Sequence, residues 1–388
     1  MYAWTLTSQI AADLARIEEL RRTLDLGILP RRWAGRLRRE LEAESTAAST
    51  AMEGVPVTVD EVRRILAGER PSTVRESDAR LVEGYRDAMS FVLRRADDPA
   101  FTWQAELILG IHDRVMGGSY ASGAGRFRAA AVFLAISGEG RTVYEPPPAD
   151  AVPALVDELA SFAQNASTEV PAPVLAALVH VRLAGVHPFA DGNGRTARVL
   201  ASLAMYRGGY TRPQFTSLEE WWGAHRRDYY DSFACLGASW CEDCDVTPFV
   251  AAHVRAQRLQ VDALSLKETT ERVLWGVLED VAIEDLHMQP RVADALFDGF
   301  FGRTVTNRYY RSLADVSVAT AANDLARLDA SGLLAARGAG RSRSYTGSTA
   351  LVAAVAQGAH LGEPPAESPI ESQRQWVLTR LAERIARS

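Results

Sequence analysis

The chain has 388 residues, of which 47% are hydrophobic and 24% charged. This composition is that of a folded globular protein and argues against disorder, and the length fits a catalytic core with an accessory domain. The net charge of −6 at pH 7 excludes a chain-wide polyanion-binding surface, although a local basic patch is compatible with it.

The N-terminal segment lacks the pattern of a targeting signal. Residues 1–16 include Asp13 and have no basic stretch followed by an apolar one, so a signal peptide is not expected. No apolar run approaches the roughly 20 residues that span a bilayer. These features predict a cytoplasmic protein without a membrane partner.

Helical periodicity dominates the part of the chain that follows. Apolar residues recur at three- and four-residue spacing, as expected for helices that bury one face. This pattern predicts helices over residues 10–24, 62–68, 77–94, 104–116 and 151–165.

The clearest strand signal lies at residues 130–144, where two short β-prone stretches flank a glycine-containing turn. The pattern predicts a β-hairpin with a first strand over 132–136. Three prolines at 146–148 end it, because proline cannot donate to a β-ladder.

The most informative segment is residues 187–198, HPFADGNGRTAR, which follows an apolar helix predicted over 173–186. Pro188 stops that helix. Gly192, Asn193 and Gly194 tolerate the positive φ angles that turn successive N–H groups into an anion-binding nest. A new helix predicted to start near Arg195 adds its own N–H groups and the positive end of its dipole.

Charged side chains surround this nest. Arg195 and Arg198 share a helix face, which suits a polyphosphate. Asp191 is a hard oxygen ligand for Mg²⁺, and His187 is placed to deprotonate a nucleophile at neutral pH. A turn, a solvated arginine pair or a structural histidine would explain each feature alone, but no structural need explains them together.

Residues 187–198 resemble the signature of the Fic family, His-Pro-Phe-x-Asp-Gly-Asn-Gly-Arg-x-x-Arg, at every defining position. The similarity extends over residues 10–254, because residues 125–128 and the hairpin resemble the family's flap region and residues 229–230 its following helix. The resemblance implies a mostly α fold, an all-helical Fic core with a β-hairpin flap.

The resemblance also implies an activity, the Mg-ATP-dependent transfer of AMP to a Ser, Thr or Tyr hydroxyl of a protein, the chain itself included. His187 would be the general base and Asp191 the Mg²⁺ ligand. The backbone of residues 192–194 (Gly192, Asn193, Gly194) would form the anion hole, and Arg195 and Arg198 would bind the β- and γ-phosphates. Phosphocholine transfer, other nucleotide transfers and the reverse reaction remain alternatives.

Two further expectations follow from the resemblance. Tyr229 and Tyr230 are candidates for the nucleotide pocket, and because related proteins often dimerise, a homodimer is a candidate assembly.

Residues 49–54, STAMEG, resemble the family's inhibitory motif. Gly54 can end a helix, which would place Glu53 in the last turn, where its charge opposes the helix dipole. The resemblance implies that Glu53 contacts Arg198 and so blocks the position of the γ-phosphate. Ser49 is the other inhibitory residue of the motif. The alternative is an exposed glutamate before a helix-ending glycine.

Residues 289–346 predict helix, helix, turn, helix and hairpin, with Ser317 as an N-cap, and resemble a winged helix-turn-helix. Eight arginines and five aspartates give this segment a net charge of +3, which is compatible with DNA, with Arg341 and Arg343 in the wing. Thr320 and Asn323 are its evident base-reading side chains. Dimerisation and substrate docking are the other uses of such a domain.

The predicted organisation has five parts. They are an N-terminal helical region with the inhibitory helix (1–100), the Fic core (101–256), a connecting helix (257–288), the winged helix (289–348) and a tail with a linker and a terminal helix (349–388).

The alternative function is that of a DNA-binding transcriptional regulator whose Fic domain senses nucleotide. Such a sensor would be expected to have lost His187 or an arginine.

Overall fold

The computed structural model describes residues 2–26, 31–119, 123–135, 142–216 and 218–387. Contacts divide the chain into two compact units, residues 1–263 and 264–388. The division falls inside the segment predicted as a connecting helix, and the five-part organisation stays a prediction.

The first unit is built mainly from helices, and each of the five periodic segments forms one. Their ends differ from the predicted ends by a few residues. The helices are α1 (Ser8–Leu26), α3 (Val59–Leu66), α4 (Glu76–Ala96), α5 (Ala105–Val115) and α6 (Val152–Ala166), and α2 (Arg31–Met52) lies between the first two.

Periodicity did not predict α2, and only its C-terminal end was expected, from the resemblance of residues 49–54 to the inhibitory motif. The buried face of this helix is made largely of small and hydroxyl side chains, including Ala43, Ser45, Ala47, Ser49 and Thr50. Few of these are the large apolar residues whose three- and four-residue spacing identified the other helices.

The centre of the first unit is formed by α7 (Ala172–Val186) and α8 (Asn193–Arg207), which pack against each other. Helix α7 is apolar nearly all round because nearly all of its side chains are buried. Helices α4 and α5 pack on α8, and α6 packs on α7. The loop of residues 187–192 is therefore held between two core helices.

The predicted hairpin is present as β1 (Leu134–Ala135) and β2 (Thr142–Tyr144), paired antiparallel with Leu134 opposite Tyr144. Its turn lies outside the described residues. The first strand is shorter than predicted, because within the described residues only 134 and 135 find partners on β2.

Three helices complete the first unit: α9 (Leu218–Ala224), α10 (Arg226–Ser232) and the start of α11 (Thr247–Asp280). Helix α11 begins earlier than the predicted connecting helix. Buried residues at Phe249, Val250, Val254 and Val261 continue its helical spacing toward the N-terminus.

The second unit has the predicted order of helix, helix, turn, helix and hairpin, although its assignment as a winged helix stays a prediction. Ser317 caps α14, its Oγ accepting from Thr320 N–H. The sequence missed β3 and α15. The elements are α12 (Ala293–Phe300), β3 (Val305–Thr306), α13 (Asn307–Ala314), α14 (Val318–Ala330), β4 (Leu334–Arg337), β5 (Ser344–Gly347), α15 (Thr349–Gly358) and α16 (Ile370–Arg387), with an antiparallel sheet ordered β3-β5-β4.

Among the described helices, none combines the length and the apolar character needed to cross a membrane.

Candidate active site

The loop between α7 and α8 is closed by one amide side chain. Asn193 Oδ1 accepts from Phe189 N–H at 2.9 Å, and Asn193 Nδ2 donates to Phe189 O at 2.9 Å. The Asn193 side chain is buried, so water does not compete for these bonds. Its side chain therefore fixes the shape of the loop.

His112, on α5, also holds the loop, through contacts with Phe189 and Asp191. The sequence did not reveal this role. Its ring stacks on Phe189 with 3.6 Å between centroids and 3° between planes. Nδ1 accepts from Gly125 N–H at 3.1 Å, so Nε2 carries the proton and donates to Asp191 O at 3.0 Å. Burial lowers the pKa of His112, in keeping with a neutral ring.

His187 follows the last residue of α7 in a left-handed conformation, with φ 49° and ψ 58°. This conformation costs a non-glycine residue roughly 1–2 kcal/mol and is often found at functional sites. Burial, partly opposed by a hydrogen bond with the Ala184 backbone, lowers the pKa of His187 to about 4. At neutral pH the ring is therefore uncharged and able to accept a proton.

Arg128 connects the His187 backbone to the hairpin region, and the sequence gave no role to it. Its Nε donates to His187 O at 2.8 Å, Nη1 to Ala130 O at 3.0 Å, and Nη2 to Pro147 O. The side chain is buried, and its recorded acceptors among the described residues are main-chain carbonyls. One guanidinium thus holds segments before and after the hairpin to the end of α7.

The predicted nest is only partly correct, because Gly192 alone of residues 192–194 has a positive φ. Asn193 and Gly194 are instead the first residues of α8, which starts two residues earlier than expected. The first donor within α8 is Thr196 N–H, which bonds to Gly192 O at 3.0 Å. The N–H groups of residues 193–195 precede it without acceptors inside the helix, so the anion site is a helix N-terminus.

Arg195 is 2% exposed and incompletely partnered. Nη2 lies 3.7 Å from Met116 Sδ and 3.5 Å from Asp191 Oδ1, which are weak contacts. Nε and Nη1 are buried and have no hydrogen-bond partner in the described part of the chain. Such a cation is costly unless an anion supplies the acceptors.

Arg198, also buried, is fully engaged by residues from the end of α2. Nε donates to Ser49 Oγ at 3.0 Å, and Nη2 donates to Ser49 O at 3.1 Å. Nη2 also donates to Glu53 Oε1 at 2.9 Å. The structure thus brings together all three residues of the predicted inhibitory contact.

Glu53 lies just beyond α2, not in its last turn as predicted. The α-helix ends at Met52 because the next N–H groups bond to the third residue back instead of the fourth. Glu53 N–H bonds to Thr50 O, and Gly54 N–H bonds to Ala51 O. A Cβ added to Gly194 would lie 2.4 Å from Glu53 Oε1. The carboxylate therefore occupies the N-terminal end of α8, where an anionic ligand would bind.

The two tyrosines occupy different environments. Tyr229 is buried, and its hydroxyl lies 3.4 Å from Arg198 Nη1 and 3.1 Å from His180 Nε2. Tyr230 is 56% exposed and donates to Met52 O at 3.2 Å, beside the Glu53 turn. Their assignment to a nucleotide pocket stays a prediction.

Asp191 is suited to a metal shared with a ligand. Its side chain is 66% exposed, and Oδ1 accepts from Gly192 N–H at 2.6 Å. The described residues contain no group of three or more metal-binding side chains. A single outward carboxylate fits Mg²⁺, which usually binds one or two carboxylates together with waters and substrate phosphates.

A sequence model of the Fic/DOC family matches residues 102–205. This range contains His112, Arg128 and the whole loop of residues 187–198. Residues 102–205 are a Fic domain. The domain lies within the first unit and brings together helices α5 to α8.

Curated relatives of the chain include the protein adenylyltransferase Fic of Nematostella vectensis, 27% identical over 220 residues, 55% of this chain and 47% of the relative. The protein adenylyltransferase fic-1 of Caenorhabditis elegans is 34% identical over 173 residues, 43% of this chain and 30% of the relative. The chain spans about half or less of the length of these relatives.

Two solved structures share the fold. A Fic family protein from Desulfovibrio desulfuricans has a TM-score of 0.59 and 22% identity, covering 90% of this chain and 98% of that chain. Fic-1 from C. elegans has a TM-score of 0.54 and 24% identity, covering 67% of this chain and 73% of that chain.

Proposed function

We propose that this Fic protein transfers AMP from Mg-ATP to a hydroxyl group of a protein, the activity that its curated relatives are named for. The observation that carries the proposal is the buried guanidinium of Arg195, whose Nε and Nη1 lack acceptors. It lies in the first turn of α8, where a polyphosphate could supply those acceptors.

In the proposed reaction, the target oxygen bonds to the α-phosphorus of ATP while the bond from that phosphorus to the α,β-bridging oxygen breaks. His187 takes the hydroxyl proton, for which its neutral ring is ready. Arg195, Arg198 and the α8 N-terminus stabilise the charge on the departing pyrophosphate. Mg²⁺, which Asp191 would hold, would neutralise phosphate charge when bound.

Autoinhibition by Glu53 is part of the proposal. Two observations support it: Glu53 forms an ion pair with the buried Arg198, and its carboxylate lies against Gly194. A phosphate that binds both the α8 N-terminus and Arg198 must displace this carboxylate. Replacing Glu53 with glycine should therefore increase AMP transfer.

The deciding experiment follows label from α-labelled ATP with Mg²⁺ onto protein, with and without cell lysate. We expect Glu53→Gly to exceed the wild type by about tenfold or more, the factor that corresponds to about 1.4 kcal/mol of lost competition. Glu53→Gly/His187→Ala should lose the label. Glu69→Gly is the matched control, because Glu69 forms a surface ion pair with Arg64 and should behave as wild type.

Two outcomes would contradict the proposal. If Glu53→Gly transfers no label in any of these conditions, AMP transfer is the wrong reaction. If the Glu53→Gly/His187→Ala protein transfers label as fast as Glu53→Gly, His187 is not the base.

DNA binding by the second unit is the weaker candidate. The helix–turn–helix order and exposed Asn323 on α14 favour it. However, Arg291, Arg303 and Arg343 form ion pairs with Asp324, Asp298 and Asp329. Much of the local positive charge is thus neutralised internally, and a salt-sensitive shift of random duplex DNA by the full chain would be needed to support a regulator.

A further inference from the structure

Helix α2 carries a polar stripe on its buried face. Ser45 and Ser49 are four residues apart, and Glu53 follows four residues later, just past the helix end. Residues at this spacing lie above one another on a helix. Ser49 and Glu53 both contact Arg198, whereas Ser45 Oγ donates to Glu219 Oε2 at 3.1 Å.

Glu219, on α9, is a buried carboxylate that the predicted motifs do not include. It is 2% exposed, and its recorded hydrogen bonds come from the hydroxyl groups of Ser45 and of Tyr85, which donates to Oε1. No Arg, Lys or His in the described part of the chain is recorded in an ion pair with it. Burying a carboxylate costs free energy, which the hydrogen bonds from these two hydroxyl groups partly offset. The presence of this carboxylate in the core therefore needs an explanation.

Tyr85 connects this carboxylate to the phosphate-binding arginine. The tyrosine is fully buried on α4, and its hydroxyl donates to Glu219 Oε1. Burial raises the pKa of Tyr85, and the Ser49 side chain opposes this rise. Because Tyr85 gives its proton to Glu219, its oxygen can act as an acceptor toward the Ser49 hydroxyl. The Ser49 oxygen in turn accepts from Arg198 Nε–H. Hydroxyl groups therefore lead from the cation to the carboxylate.

We propose that Glu219 is a positioning residue for Arg198, acting through Tyr85 and Ser49. These residues hold the Nε edge of the guanidinium, whereas Glu53 contacts Nη2. When a phosphate displaces Glu53, the Nε edge stays anchored and Arg198 keeps its place for the phosphate. This inference rests on the proposed function. It gives the two carboxylates different roles: Glu53 leaves when inhibition is released, and Glu219 keeps Arg198 in position.

The first readout requires no nucleotide. The Nε–H resonance of Arg198, assigned by its loss in Arg198→Lys, is followed by NMR in the full chain carrying Glu53→Gly. Tyr85→Phe and Glu219→Gln should each shift this resonance and speed its exchange with water. Tyr206→Phe is the matched control. It removes the hydrogen bond from the Tyr206 hydroxyl to Thr216 Oγ1, which is not one of the contacts between Arg198 and Glu219.

The second readout is steady-state kinetics in the same background. Tyr85→Phe and Glu219→Gln should raise the KM for Mg-ATP about five- to tenfold, the factor expected for one weakened buried hydrogen bond. We expect kcat to fall by a smaller factor, because Arg195 and the α8 N-terminus would still stabilise the charge on the departing pyrophosphate. Tyr206→Phe should change neither parameter.

The outcomes separate the two proposals. If Glu53→Gly transfers no AMP but Tyr85→Phe moves the Arg198 resonance, the AMP-transfer proposal fails and the positioning role stands. If the resonance and KM are unchanged in folded Tyr85→Phe, the positioning role is wrong. Should Glu219→Gln fail to fold, Tyr85→Phe decides alone, since it keeps the ring and removes one hydroxyl.

Discussion

His187 combines a left-handed backbone with a half-buried, uncharged ring. Its main-chain oxygen is held by Arg128, and its N–H bonds to Leu183 O at 2.9 Å. The peptide units before and after the His187 Cα are therefore both held by hydrogen bonds. A base held this way loses little freedom when a nucleophile approaches, which favours proton transfer.

The pKa of His187 can be measured directly. Burial destabilises its charged form, so we expect the ring resonance, assigned by its loss in His187→Ala, to titrate near pH 4, where its pKa is placed, and not near 6.5. The measurement is an NMR titration of the full chain between pH 7.5 and the lowest pH at which it stays folded. A His187 midpoint near 6.5, the ordinary value for histidine, would contradict the assignment of a neutral base.

Single residues also show where sequence analysis reaches its limit. The loop of residues 187–198 was recognisable because its residue types are adjacent in the chain. His112 and Arg128 were missed because their partners are backbone groups distant in sequence, which leave no residue pattern. The best available signal was a polar histidine on the buried face of the otherwise apolar α5.

At the scale of elements, helices that bury large apolar residues were the easiest to predict from the sequence. Helices α4, α5 and α6 bury large apolar residues on one face and were predicted with nearly correct ends. Helix α2 buries small and hydroxyl residues, so its length was not predicted although its functional end was. The Ser45–Glu219 and Tyr85–Glu219 contacts join three helices through long-range packing, which periodicity cannot reveal.

The hairpin depends on a few contacts at its base. Arg128 bonds to carbonyls on both flanks of the hairpin, and Tyr144 OH donates to Gly185 O at 2.9 Å, near the end of α7. These contacts tie the position of the hairpin to that of His187. Changing Arg128 should therefore affect both elements together.

Arg128→Met tests this connection, because methionine keeps much of the apolar volume without charge or donors. We expect faster hydrogen exchange at Tyr144 and Glu145, since the hairpin base loses its anchor. The pKa of His187 should rise, because the Arg128 charge contributes to lowering it. Exchange mass spectrometry and the His187 titration measure the two effects. Arg126→Met removes the same charge from an exposed neighbour and should cause neither, and an unaltered hairpin in Arg128→Met would refute the connection.

At the scale of the whole molecule, the first unit contains three buried histidines and the half-buried His187. The pKa values of His112, His180, His187 and His253 are all lowered, with burial the largest cause in each case. Both ring nitrogens of His253 are buried without a partner in the described structure, and its ring lies 5.4 Å from that of His180. Neither of these two rings can be protonated without disturbing the core.

These histidines predict how stability depends on pH. Their folded-state pKa values lie below the unfolded value of 6.5, so below pH 6.5 the unfolded chain binds more protons than the folded chain. The free energy of unfolding should therefore decrease as the pH is lowered below 6.5, by up to about 1.4 kcal/mol per pH unit for each histidine. Chemical denaturation should show little change between pH 7.5 and about 7, and a steep loss between about 6.5 and 5.5.

His253→Phe isolates one contribution to this slope. Phenylalanine suits the aromatic surroundings of His253, which include Trp222 and Phe249, and it cannot titrate. The slope between about pH 6 and 5.5 should fall by an amount approaching 1.4 kcal/mol per pH unit, roughly one histidine's share. His360→Asn is the matched control, because it removes an exposed histidine at a left-handed position that asparagine tolerates. An unchanged slope in His253→Phe would mean that protonation of this core position does not limit the stability of the fold.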